Sequence, residues 1–154
     1  MKNRTESADL KTNKNHGLCA ELACMIASFL GNEENRITEI PGVSLHRRNS
    51  PTPPCRTTYH AGIIVVAQGS KQANLGGTTF TYDASRFLLT AVDLPVVTWV
   101  AKATDEAPCL VLSLKLDMSL VRELLSREEI HVADAPSDSP AMSLGENTPE
   151  FIGA

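Results

Sequence analysis

What this chain lacks narrows its function before any motif is read. No apolar run approaches the roughly 20 residues that cross a bilayer, and the opening MKNRTESADLKTNKNH has no hydrophobic stretch of a secretory signal. A cytoplasmic protein without a membrane partner is expected. A basic excess is also missing, since 14 Lys and Arg stand against 18 Asp and Glu, giving a net charge of −4. Duplex binding needs concentrated cations to neutralise phosphates, so these residues are not expected to bind DNA by themselves. The usual catalytic strings are absent too: there is no G-x-S-x-G elbow, no G-x-x-x-x-G-K-S/T and no G-x-G-x-x-G. His16, His46, His60 and His131 stand singly, without the H-x-H and following Glu of a barrel metal site. No enzyme activity, no cofactor and no metal are expected. Cys19, Cys24, Cys55 and Cys109 include no C-x-x-C pair, and reduced, mostly buried thiols are the plain reading.

What is there organises around Ala61 to Val100. At 154 residues and 42% hydrophobic content the chain fits one domain with a real core. Ile63 to Ala67 is a β-branched run between Gly62 and Gly69, as expected of a strand buried on both faces. Gly76-Gly77 can take the positive-φ positions of a two-residue hairpin turn, which sets Leu75 opposite Thr78. The register then pairs Ala73 with Phe80 and Lys71 with Tyr82 on a largely apolar face, and Asn74 with Thr79 and Gln72 with Thr81 on a polar one. Further strands are expected at Phe87 to Val92, Val96 to Val100 and Cys109 to Leu116, and an alternating one at Val43 to Arg47. Their connections are too short for crossover helices, so a sandwich or barrel is expected.

Around this core, residues 1–17 read as a flexible tail. Leu18, Leu22, Met25, Ile26, Phe29 and Leu30 recur at helical period up to Gly31, and the stripe packs on the barrel or forms a dimer contact. A polar connector, NEENRITEIPG, follows. Asn49 to Arg56 holds three prolines and reads as a rigid surface loop that could rim a pocket. Asp117 is placed to cap a helix carrying Leu120, Val121, Leu124 and Leu125, ending near Ile130. Residues 18–132 thus form the expected domain, and 133–154 a linker with the start of a helix at Thr148-Pro149-Glu150. Because that start has no helical body, the natural polypeptide is expected to continue.

The run VVAQGSKQANLGGTTFTYDASRFLLTAVDLPV, with IPGVSLHR before it and LDMSLVRELL after, resembles the N-terminal domain of AraC-type transcriptional regulators. The likeness covers about Ile40 to Ile130, with QG-x-K, the paired glycines, Tyr82 and DLPV in order. It departs at Ala84-Ser85, where such domains commonly carry Pro-Gly. The resemblance implies a mainly β, cupin-like double-stranded β-helix (jelly-roll) barrel with flanking α-helices. It also implies that the domain senses a small-molecule effector, and that DNA is bound only through a C-terminal helix-turn-helix region outside this chain. A homodimer is a further possible partner state. The alternative is a stand-alone cupin-like binding protein or enzyme. A small barrel can hold one ligand with a few polar groups among apolar ones. His46, Tyr59, His60, Gln68 and Trp99 are the candidates, lying on or beside expected strands. Each has a plainer reading: His46 pointing outward, Tyr59 and Trp99 as packing, Gln68 capping the turn at Gly69, and Lys71 as a solvated edge residue.

Overall fold

Short β-branched runs and glycine turns fill the middle of the chain, and in the computed structural model they join into one curled antiparallel sheet, a half-barrel. The structure describes residues 3–127 and 141–152. A long first helix, α1 (Asn3–Leu30), precedes the sheet. It begins well before Leu18, where helical period first appears, and includes most of the expected flexible tail; no proline interrupts it. Gly31 ends it at φ 56°, with its N–H on the Ala27 carbonyl at 3.0 Å. Arg47 Nη1 donates to the Gly31 carbonyl at 2.6 Å and Arg36 to that of Phe29, which satisfies acceptors the last turn leaves free.

The strands follow as β1 (Asn35–Ile37), β2 (Val43–Arg48), β3 (Cys55–Tyr59), β4 (Gly62–Gln68), β5 (Ser70–Leu75), β6 (Thr78–Asp83), β7 (Arg86–Thr90), β8 (Leu94–Lys102) and β9 (Cys109–Lys115). Then come α2 (Met118–Arg127), β10 (Met142–Glu146) and α3 (Pro149–Ile152). Their spatial order is β1-β2-β9-β4-β7-β6-β5-β8-β3, with β10 added along β7. The β5–β6 hairpin has the register derived from Gly76-Gly77, pair for pair, and the two glycines sit at φ 56° and 88°. At Ala84-Ser85 the turn is held without Pro-Gly, because Asp83 Oδ1 accepts both the Ser85 N–H at 2.8 Å and its hydroxyl at 2.6 Å. Asp117 Oδ1 accepts the Ser119 N–H at 2.9 Å and caps α2; Thr148 Oγ1 accepts the Phe151 N–H at 3.2 Å and caps α3. The expected end of α2 near Ile130 lies outside the described residues.

The two faces of the sheet have different partners. On the convex side Leu45, Ala67 and Leu110 pack with Ala23, Ile26 and Leu30 of α1. Each large side chain buried there contributes roughly 1.5–3 kcal/mol. Met25 and Phe29 belong to the same sequence stripe yet stay exposed, so the packed face of α1 is narrower than the period implied. On the concave side Tyr59, Val66, Ala73, Tyr82, Leu88, Val96, Val100, Cys109, Val111 and Met142 form the main core.

Four local readings change. β1 forms within the expected polar connector as an exposed edge strand. β3 takes over the last two residues of the expected proline loop, Cys55 and Arg56, again at an edge. Within residues 133–147, read as linker, β10 pairs with β7 along its whole length and buries Met142. Among the thiols, Cys19 and Cys109 are buried but Cys24 and Cys55 are exposed. Pro95 lies inside β8, opposite Thr58 of the edge strand and beyond the part paired with β5, where its missing N–H costs no ladder bond on that side.

Candidate functional site

Strand alternation decides which side chains share the concave face. His46 pairs with Val111, which pairs with Val66, and both valines lie in the concave core. Ser44 and Arg48, two residues either side of His46, therefore project the same way, with Arg48 opposite Cys109. From the other flank Lys71 pairs with Tyr82 and Val100, so it too faces inward. The QG-x-K string has a geometric reason. Gln68 Nε2 donates to the Pro108 carbonyl at 2.8 Å, and Gly69, at φ 83°, is the single residue between β4 and β5. A Cβ there would stand 2.6 Å from the Lys102 carbonyl oxygen and 2.9 Å from Cys109 Cα. The chain thus turns from the β9–β4 flank to the β5–β8 flank at a corner only glycine fits, and Lys71 follows on the inner face.

Above the apolar wall lies a half-buried polar layer of Ser44, His46, Arg48, Lys71 and Thr98. His46 Nδ1 lies 3.0 Å from Asn35 Oδ1 and its Nε2 lies 3.0 Å from Ser44 Oγ. Asn35 Oδ1 only accepts, so Nδ1 carries the proton and Ser44 donates to Nε2. Burial first, then the Lys71 and Arg48 charges, lower the His46 pKa to about 4, and the ring is neutral near pH 7. Arg48 donates to the carbonyls of Glu34 and Arg47 and to Asn35 Oδ1. Lys71 Nζ sits 5.9 Å from the centroid of the Tyr59 ring.

Beneath this layer runs a directed chain of hydroxyls. Thr98 Oγ1 donates to the Gln72 carbonyl at 3.0 Å, which uses its one hydrogen. Tyr59 therefore donates to Thr98 at 2.6 Å, and Tyr82 donates to Tyr59 at 2.7 Å. Burial, with Tyr59 next to it, pushes the Tyr82 phenol well above its ordinary range.

Of the five candidates, His46 and Tyr59 come together on the concave side. Gln68 is a corner residue tied to Pro108. Trp99 pairs with Gln72, on the face opposite Lys71, and lies on the convex side. His60 is exposed and faces Asp93, its Nδ1 3.5 Å from Asp93 Oδ2. The Ala61 N–H and then His60 hold that carboxyl below its usual range. Lys71, expected as a solvated edge residue, instead faces inward, and Arg48, Tyr82 and Thr98 were not among the candidates. Their signal was the alternation itself, since Lys71 opposite Tyr82 already belonged to the apolar face of the hairpin.

The Cys109 thiol and the His46 imidazole are not set up as an activated nucleophile and its base. Cys109 is 1% exposed, and burial raises its pKa despite Lys71 and Arg48. Both nitrogens of His46 are engaged. Among the described residues no three His, Cys, Asp or Glu side chains gather as a metal site would need, and no helix is long and apolar enough to cross a membrane.

Among solved structures, the fold matches a crystal structure of apo ToxT from Vibrio cholerae, at 10% identity and a TM-score of 0.50. The match covers 73% of this chain and 44% of that one, so this chain spans less than half of its structural relative. That likeness concerns the fold alone, the mainly β, cupin-like half-barrel described above. No match is found among curated proteins. The family model described as the AraC-type transcriptional regulator N-terminus matches residues 39–154, which include every described element from β2 to α3. The chain therefore belongs to the AraC-type transcriptional regulator N-terminal family, and is the regulatory domain of such a regulator.

Proposed function

We propose that this domain senses a small-molecule effector on the concave face of its sheet and thereby controls DNA binding by a helix-turn-helix region of the complete regulator. The observation that carries this reading is Met142. It comes from β10, close to the C-terminal end of the described chain, yet it lies in the same core as Tyr59, Tyr82 and Val66. From there the chain runs directly into α3, which touches α1, and Phe151 of α3 stacks on Phe87 of β7 at 4.4 Å. Ala84 ties the parts further, because its carbonyl accepts from both Cys19 Sγ at 3.3 Å and Asn147 Nδ2 at 3.0 Å. A ligand that shifts the concave wall therefore acts on the segment leading away from the domain. Only a ligand with different affinity for two arrangements can alter DNA affinity in this way. His46, Tyr59, Lys71 and Arg48 are the side chains we assign to effector contact, and a non-enzymatic, cytoplasmic regulator is the fitting class.

The test is a thermal-shift screen of the chain against small metabolites, followed by DNA-affinity measurements on the full-length regulator with each hit. A native-state ligand at 100 times its Kd should stabilise the domain by about 2.7 kcal/mol. A hit that stabilises the domain and leaves DNA affinity unchanged would count against the reading. We also propose a homodimer, because Leu120 and Leu124, four residues apart on one face of the amphipathic helix α2, are both exposed. Sedimentation of the wild type and of Leu120→Glu/Leu124→Glu tests that state, the variant being monomeric if the surface pairs.

A further inference from the structure

The half-buried concave layer carries two cations and, among the described residues, no anion to match them. Lys71 stands in register with Tyr82 and Val100, and Arg48 with Cys109, so both project on the side of the concave core. The ion pairs among the described residues join His60 to Asp93 and Arg127 to Glu123, and neither concave cation takes part. The three acceptors of Arg48 are neutral amide oxygens, two carbonyls of the main chain and the Asn35 side chain. They aim the guanidinium without offsetting its charge. Lys71 has an aromatic face beside it, the Tyr59 ring. The two charges act on the same place, since both depress the pKa of His46 and both oppose the rise at Cys109. Cations withdrawn from water over an apolar wall favour a ligand that brings a negative charge.

Resting on the sensing role proposed above, we propose that the effector is a small organic carboxylate, held at its anionic end by Lys71 and Arg48 with its apolar body against the Tyr59 side of the wall. The ring of His46, neutral between Asn35 and Ser44, keeps Arg48 and the rim in place without adding a third charge. A phosphate group is disfavoured by the same geometry. Both cations stand on strands, away from the starts of α1 at Asn3, α2 at Met118 and α3 at Pro149. Phosphate sites commonly draw on helix N-termini or free backbone N–H groups, which strand ladders do not offer.

The test titrates the chain with sodium benzoate, benzamide and sodium phosphate at fixed ionic strength near neutral pH, following the ring signals of His46 and Tyr59 by NMR. Benzoate should shift both saturably, while benzamide, of the same shape and uncharged, should not. Lys71→Met should weaken benzoate binding by about tenfold or more, and Lys71→Arg, which keeps the charge, by much less. Spectral dispersion shows whether each variant is folded, and Arg48→Gln serves as an independent second removal of charge. The proposal is overturned by absence of a saturable benzoate shift, by an equal response to benzamide, by tighter binding of phosphate, or by full benzoate affinity in both charge-removing variants. The sensing role fails differently. Benzoate binding combined with a full-length regulator whose DNA affinity ignores every ligand would keep the carboxylate site and remove the sensor. Neutral metabolites that change DNA affinity while benzoate does not bind would do the reverse.

Discussion

The hydroxyls of Tyr59 and Tyr82 lie 2.7 Å apart, joining edge strand β3 to β6 across the concave core. Because Thr98 spends its hydrogen on the Gln72 carbonyl, Tyr59 must donate to Thr98 and accept from Tyr82. The two residues are therefore unequal. Tyr82→Phe removes the terminal donor and should cost about 1 kcal/mol, whereas Tyr59→Phe leaves a buried Tyr82 hydroxyl without its acceptor and should cost about 1–3 kcal/mol. Urea unfolding of the two single variants and the double variant checks both the order and the coupling.

Acid should weaken the domain through His46. Its pKa is about 4 in the folded chain, below its ordinary 6.5, so between those values the unfolded chain binds more protons. The stability of the neutral ring is fully present above about pH 6.5 and is lost as pH falls through the window towards 4. Because the ring is only half-buried, solvent screening reduces the effect to roughly 1–2 kcal/mol. His46→Gln should flatten this part of the stability profile, and NMR titration of the wild type should place the ring's midpoint well below 6.5.

Gly77→Val should destabilise the domain by about 1–3 kcal/mol for conformational reasons alone. Its φ is 88°, and no atom lies within 4 Å of the position a Cβ would take, so there is no clash to relieve. Gly76→Asn, at φ 56°, should cost less because Asn tolerates the left-handed region. An unchanged melting temperature for Gly77→Val would show that the hairpin does not depend on this turn.

The hairpin was legible because two adjacent glycines between alternating strands set a register with no long-range information. Lys71, expected as a solvated edge residue, instead lies on β5 between β6 and β8, and its pairing with Tyr82 and Val100 turns it inward. The α2 and α3 caps were legible for the same local reason, as Asp117 and Thr148 act on their own next turn. β10 was not. Met142-Ser143-Leu144-Gly145-Glu146 lies in a stretch, 133–147, whose Ser, Pro, Asp and Ala content reads as linker, and its strand state comes from β7, more than fifty positions earlier in the chain. The edge strands β1 and β3 were hidden similarly, being short and defined by their partners. Arg48 as a concave cation needed the β2–β9 pairing as well as the alternation of β2.

Gly145 should be the position where the exit segment can be loosened while the barrel stays folded. A Cβ on Gly145 would stand 2.2 Å from Cζ of Phe87, the ring that also stacks on Phe151 of α3. Gly145→Val must therefore displace Phe87, and with it the aromatic contact that holds α3 against β7. Hydrogen exchange should then quicken in residues 142–152 and along β7, while amides of β4 and β9, in the centre of the sheet, keep their protection. If β10 and α3 carry the effector signal, full-length regulator with this change should still bind effector but lose most of the effector's influence on DNA affinity. Retained coupling in a variant whose exit segment exchanges freely would place the signal on another path, through α1 or α2.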